Sequence, residues 1–247
     1  MTTALITGAN KGIGYETARQ LAARGITVLV AARDKDLGQA AADKLKAEGA
    51  QAHFVQLDVT DEDSIARAAA WIDAEFGSLD ILINNAGISG TYGEKPSTTA
   101  VASLRRAYET NVFGVVAVTN ALLPLLQRAE AARIVNVSSE VGSLELMMNQ
   151  DGPMWQMASI PYPTSKTALN MVTAMYAKEL WDTPIKVNAA NPGYTATDLN
   201  HNTGFRTPSQ GAEPSVHLAT LPADGPSGQL WGYQWGGGDV EYGPLPW

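Results

Sequence analysis

The chain has 247 residues, 45% of them hydrophobic, a length and composition that fit one large α/β domain with a sizeable core. A formal net charge of −8 argues against general attraction to nucleic acid or to an anionic membrane. With no cysteine there are no disulfides or thiolate metal sites, and His53, His201 and His217 stand at no metal-ligand spacing.

The opening MTTALITGAN lacks the basic start and apolar core of a secretory signal. No uncharged apolar run reaches the roughly 20 residues of a membrane span, so a soluble cytoplasmic protein is expected. TALIT predicts a strand, followed by a glycine loop and a helix through YETARQLAAR that stops at Gly25. TVLVAA is the next strand and KDLGQAAADKLKAE the next helix, ending at Gly49. AHFVQLDV, DSIARAAAWIDAEF and DILINNAG repeat the scheme; a longer helical stretch leads to RIVNVSS, and KVNAANPG supplies a further strand. Strands rich in Val, Ile and Leu without polar alternation predict burial on both faces. The βαβα order predicts a doubly wound, mostly parallel sheet in a single domain over 1–247. In the last 40 residues Gly and Pro multiply, and Trp231, Trp235 and Trp247 fall there; packing at the sheet's far edge is expected, with the pocket mouth as the alternative.

Gly8, Gly12 and Gly14 in LITGANKGIG are spaced G-x-x-x-G-x-G between strand and helix. Such glycines let the backbone turn sharply and approach a pyrophosphate, whose charge meets free N–H groups at the helix start. An ordinary strand-to-helix turn is the plain alternative. About 20 residues beyond such a loop an acid would grip the ribose of NAD. This chain has Ala32 and Arg33 there, and a guanidinium suits a phosphate. Lys11 adds a second positive charge, and Asp34 partly offsets Arg33. NADP(H) is therefore the expected cofactor, unless both cations are only solvated surface.

IPYPTSKTALN sets Tyr162 between Pro161 and Pro163, four residues before Lys166, on one helix face. A free tyrosine has a pKa of about 10, and a neighbouring ammonium favours its phenolate. Ser159 is the predicted N-cap, which puts both prolines in a first turn whose N–H groups lack helical partners anyway. Leu169, Val172, Tyr176 and Leu180 follow at helical spacing and anchor that turn.

Together these motifs, from residue 3 to about residue 200, resemble the short-chain dehydrogenase/reductase family, classical type, in its carbonyl-reductase-like branch. The resemblance implies a Rossmann fold and a tetrad of Asn111 in YETNVFG, Ser139 in VNVSSEVG, and Tyr162 and Lys166 in YPTSK. It implies cofactor contacts from Gly8, Asn10, Lys11, Gly12, Ile13 and Gly14, from Arg33, and from Asp58 and Val59 around the adenine. Asn85, Ala86 and Gly87 of NNAG, and Pro192, Gly193, Thr195 and Thr197 of NPGYTATDL, complete the implied site. In this scheme Tyr162 is the general acid, Ser139 orients the carbonyl, Lys166 also touches the nicotinamide ribose, and Asn111 holds a water. Each residue, taken alone, reads sooner as structure than as chemistry: a packed aromatic, a solvated lysine, a strand-end serine, a helix asparagine.

The chain departs from many relatives in the 22 residues, 140–161, between Ser139 and Tyr162. Met147, Met148, Met154, Trp155 and Met157 there suit an adaptable apolar wall, or a core beneath a surface loop. A similar insertion marks the monomeric carbonyl reductases, where it covers the helix face others use to associate, so a monomer is expected. Residues 195–215 are expected as a substrate-covering loop flexing at Gly204 and Gly211. The expected activity is NADPH-dependent reduction of a ketone or aldehyde, a small-molecule carbonyl partner. The alternatives are an alcohol or hydroxysteroid dehydrogenase working oxidatively and a non-catalytic nucleotide sensor.

Overall fold

A computed structural model describes residues 2–90, 94–235 and 241–247. The first half alternates as expected: β1 (Thr3–Thr7), α1 (Gly12–Ala22), β2 (Thr27–Ala32), α2 (Lys35–Ala47), β3 (Ala52–Gln56), α3 (Glu62–Phe76) and β4 (Ile81–Asn84). Then come α4 (Val101–Tyr108), a π-helical turn (Glu109–Phe113), α5 (Gly114–Leu126) and β5 (Arg133–Val137). α6 (Leu144–Met148), α7 (Pro161–Glu179), β6 (Lys186–Asn191), α8 (Pro208–Ala219), β7 (Leu230–Tyr233) and β8 (Tyr242–Leu245) complete the chain.

The strands form one sheet in the order β3-β2-β1-β4-β5-β6-β7-β8. Among the described residues only the β7–β8 pair is antiparallel. Successive strand residues feed opposite apolar layers, which is why these runs show no polar alternation. Ala4, Ile6, Val28, Val30, Ile81 and Ile83 pack with Leu21 of α1, Leu45 of α2 and Val216 of α8. Leu5, Leu29, Leu82 and Ile134 pack with Ile72 of α3, Leu122 of α5 and Ala177 of α7. Helix ends follow local chemistry: Asp34 and Asp61 cap α2 and α3 through their side chains, and Gly77 ends α3 in the left-handed conformation. The stretch Val101–Leu126 is long and apolar enough to cross a membrane by length and composition, yet Val118, Leu122 and Leu125 set it into the sheet layer as a core helix.

Four expectations need correction. Ser159 does not cap α7: Ile160 holds that position, already in helical conformation and without a side-chain cap. Residues 195–215 are not all loop, because Pro208–Ala219 is helical behind a Thr207–Gln210 capping box with proline in the first turn. Gly204 and Gly211 are sites of close packing rather than flex points; a Cβ would lie 2.3 Å from the Ala196 backbone nitrogen at Gly204 and 2.5 Å from Thr195 Oγ1 at Gly211. The methionine-rich insertion is divided: Met154 is buried while Met148, Trp155 and Met157 are exposed. α6 packs beside the turn 140–142, and Met171 and Met175 on α7 are 61% and 47% exposed. In the tail Trp231 packs as expected, stacked between His217 and Tyr242.

Candidate active site

Strand order reverses between β1 and β4, and in open α/β sheets the crevice at that point is where ligands bind. Thr7, at the end of β1, holds the crevice together. Its hydroxyl accepts from the backbone N–H of Asn85 (2.9 Å) and Ala86 (3.0 Å), while Asn85 Nδ2 donates to the Thr7 carbonyl (2.8 Å). Sequence reading missed Thr7, which looks like any strand-end threonine. Two of the loop glycines serve this closure. A Cβ at Gly8 would sit 3.0 Å from Ala86 Cα, and one at Gly14 2.4 Å from Asn85 Nδ2. Gly12 instead has φ +58 and faces Thr197. α1 starts at Gly12 behind Lys11 with no side-chain cap and no acid in its first turn, leaving its N–H groups for an anion. Asn10 and Ile13 are half-buried in the same loop.

Arg33 is exposed at the end of β2, and the Asp34 carboxyl is engaged with Leu37 N of α2 rather than with Arg33. Asp58 folds back on Thr60, and Val59 packs against Gly114 at the start of α5. Lys11 does not stand free: its Nζ meets Asp198 Oδ2 at 2.6 Å across the crevice, both side chains 63% exposed. The Lys11 hydrogen bond holds the Asp198 carboxyl below the usual range. Ser89 Oγ also reaches the Leu199 carbonyl (3.1 Å), so the turn at 198–200 is strapped to the loops after both β1 and β4.

The two threonines of NPGYTATDL part ways. Thr197 lies against Gly12, but Thr195 is buried, its hydroxyl bonded to the carbonyls of Pro192 and Gly193 and its side chain turned towards Gly211 of α8. A bridge between Thr195 and Arg206 fixes that orientation, so the Thr195 side chain does not line the crevice.

The tetrad residues do converge. α7 starts at Pro161, and one turn into it Lys166 is 4% exposed, with Nζ 5.4 Å from the centre of the Tyr162 ring. That Nζ donates to the Val137 carbonyl (2.7 Å) at the end of β5, two residues before Ser139. Burial pushes Lys166 down to about 8. Ser139 Oγ accepts from Val141 N (3.3 Å), which leaves its proton to donate elsewhere. Ser138 is buried against Asn170, so Ser139 is the serine on the open side. Asn111, in the π-helical turn, receives Ile88 N on Oδ1 (2.9 Å) and gives Nδ2 to the Ile88 carbonyl (2.8 Å) and Ser165 Oγ (2.9 Å). Its side chain therefore fixes the loop after β4 to α7. A Cβ at Gly87 would lie 3.3 Å from Asn111 Oδ1 and 3.8 Å from Lys166 Nζ, which places this loop directly over the pair.

Comparison with known proteins gives the family. The short chain dehydrogenase family profile matches residues 2–205. The (+)-neomenthol dehydrogenase of Capsicum annuum is 35% identical across 91% of this chain and 93% of its own length. The structure of salutaridine reductase from Papaver somniferum superposes with a TM-score of 0.82 at 31% identity, covering 93% of this chain and 99% of that one. NADPH-bound carbonyl reductase from chicken fatty liver gives 0.83 at 28% identity, covering 100% and 98%. With a doubly wound sheet, a glycine loop at its switch point and four converging tetrad positions, the chain belongs to the short-chain dehydrogenase/reductase family, with carbonyl-reductase-like relatives, and is an oxidoreductase of the nicotinamide-dependent kind.

Proposed function

We propose that the protein reduces a ketone or aldehyde to an alcohol with NADPH. The observation that carries this reading is the buried Lys166 ammonium beside the Tyr162 ring, at the end of the strand that bears Ser139. When bound, NADPH supplies the hydride taken up by the carbonyl carbon. The uncapped start of α1 and Gly12 would hold its pyrophosphate, and Arg33, with Lys11 once released from Asp198, its 2′-phosphate. The chain's own groups handle the oxygen. Ser139 donates its free proton to the carbonyl and steadies the negative charge that grows there. Tyr162 passes its proton to that oxygen as the alkoxide forms, and the Lys166 cation offsets the phenolate left behind. Asn111 would act by holding the loop after β4 against α7 beside Lys166, through its bonds to Ile88 and Ser165.

Tyr162→Phe tests the reading. NADPH consumption with diketones, quinones and aromatic aldehydes should fall by about 10²–10⁴-fold, the usual worth of a positioned general acid, while NADPH still binds. Turnover that survives this change removes Tyr162 as the acid.

A further inference from the structure

Glu140 follows Ser139 and is 5% exposed, a carboxyl buried where β5, β6 and β7 end. Asn191, the last residue of β6, ties these ends together. Its Oδ1 accepts from the backbone N–H of Glu140 (3.1 Å) and of Gly193 (3.3 Å). Its Nδ2 donates to the Tyr233 carbonyl (2.7 Å) and, more weakly at 3.5 Å, to Glu140 Oε2. The Glu140 carboxyl also receives the Trp235 backbone N–H. On its far side the turn 140–142 is pressed against α7, since a Cβ at Gly142 would lie 2.8 Å from the Lys166 carbonyl carbon. Ser139 caps this same turn.

We infer that Glu140 is a positioning residue, whose backbone and carboxyl, joined through Asn191, hold the Ser139 turn in register with the Asn191–Gly193 turn on the nicotinamide side. The inference rests on the reductase reading of the site. It gives a reason for a buried acid at a position where a neutral side chain would avoid the cost of desolvating a carboxylate.

The charged group that faces Glu140 is Arg206, which is itself buried, paired with Glu241 (3.1 Å) and Tyr242 (2.5 Å), and stacked over the Tyr233 ring. Lys166, on α7, is engaged with Val137. Burial pushes Glu140 up to about 7, against the opposing pull of Asn191, Trp235 and Arg206. Its anion would stand one residue from the group that steadies a developing oxyanion and would oppose that charge, so the neutral acid is the working form. Carbonyl reduction should fall as pH rises through about 7.

The experiment compares wild type, Glu140→Gln and Glu140→Ala. It reads kcat and KM against pH with a quinone or aromatic aldehyde that the wild type reduces, NADPH affinity, and hydrogen–deuterium exchange of segments 138–143 and 191–195. Glu140→Ala should lower kcat at least tenfold, leave the NADPH Kd within twofold, and speed exchange in both segments together. Glu140→Gln, neutral at every pH, should restore the slow exchange and most of kcat and lose the inflection near pH 7. Wild-type exchange and kcat in Glu140→Ala, or an unchanged inflection in Glu140→Gln, would overturn the inference. If Glu140→Ala does not fold, the Glu140→Gln profile decides. If wild type reduces no carbonyl, the reductase reading fails by itself, and exchange in the two segments alone decides the positioning role.

Discussion

Two lysines mark two regions of one crevice. Lys166 lies on the floor, 4% exposed, its charge set between the Val137 carbonyl and the Tyr162 ring. Lys11 lies on the rim, 63% exposed and paired with Asp198. A charge on the floor is costly and acts strongly on its neighbours, whereas at the rim water and salt screen it within about 8–10 Å. In the proposed reaction the contrast divides the labour: the floor would set the proton chemistry, and the rim would set which dinucleotide enters and how tightly it is held.

The floor yields the largest expected effect. Lys166→Met should reduce turnover by about 10²–10⁴-fold, because the phenolate of Tyr162 loses its cation. The same change should stabilise the fold. Burial lowers Lys166 from 10.5 to about 8, so the unfolded chain binds the proton more tightly than the native state. That penalty is in force below about pH 8 and vanishes as pH climbs to the unfolded value. Removing it is worth at most about 3 kcal/mol at neutral pH, read as a higher Tm. A variant that is both inactive and less stable would contradict the picture of a floor where function is held at the expense of stability.

The rim yields smaller changes. Arg33→Ala should weaken NADPH roughly tenfold, the low end for a hydrogen bond to a charged group at an exposed site, and leave NADH unchanged by calorimetry. An equal loss for both dinucleotides would take the 2′-phosphate away from Arg33. Asp198→Asn is the mildest test. An ion pair this exposed is screened by water and salt and adds little stability, so Tm should hold, while a released Lys11 tightens NADPH by about two- to threefold at low salt and not at high salt.

The same division explains what the sequence discloses. Strands β1 to β6 were legible because Leu5, Leu29, Leu82 and Ile134 and their neighbours are apolar on both faces, and burial leaves no other reading. Tyr162 and Lys166 were legible because helical spacing alone puts them on one face. Thr195 and Thr197 were not separable, since the bridge from Thr195 to Arg206 decides which one turns inward, and that is a contact across eleven residues. α8 hides behind Pro208, Gly211 and Pro214, which look like a loop, although Thr207-Pro-Ser-Gln is a start signal that could have been read. Glu140 was invisible as a buried acid, because nothing local distinguishes a carboxyl facing water from one closed in by Asn191, Trp235 and Arg206.

The π-helical turn at Glu109–Phe113 carries one more consequence. A wide turn holds one residue more than an α-helix would place there, and in doing so sets the phase of everything before it relative to everything after. Rewinding the same residues as regular α-helix, with none removed, would, by elementary helix geometry, swing one half of the stretch from Val101 to Leu126 about 100° against the other. Either Asn111 would leave Ile88 or the apolar stripe of α5 would leave the sheet. The surplus residue is thus accommodated only while the turn stays wide, and that width, more than its composition, is what drift must preserve.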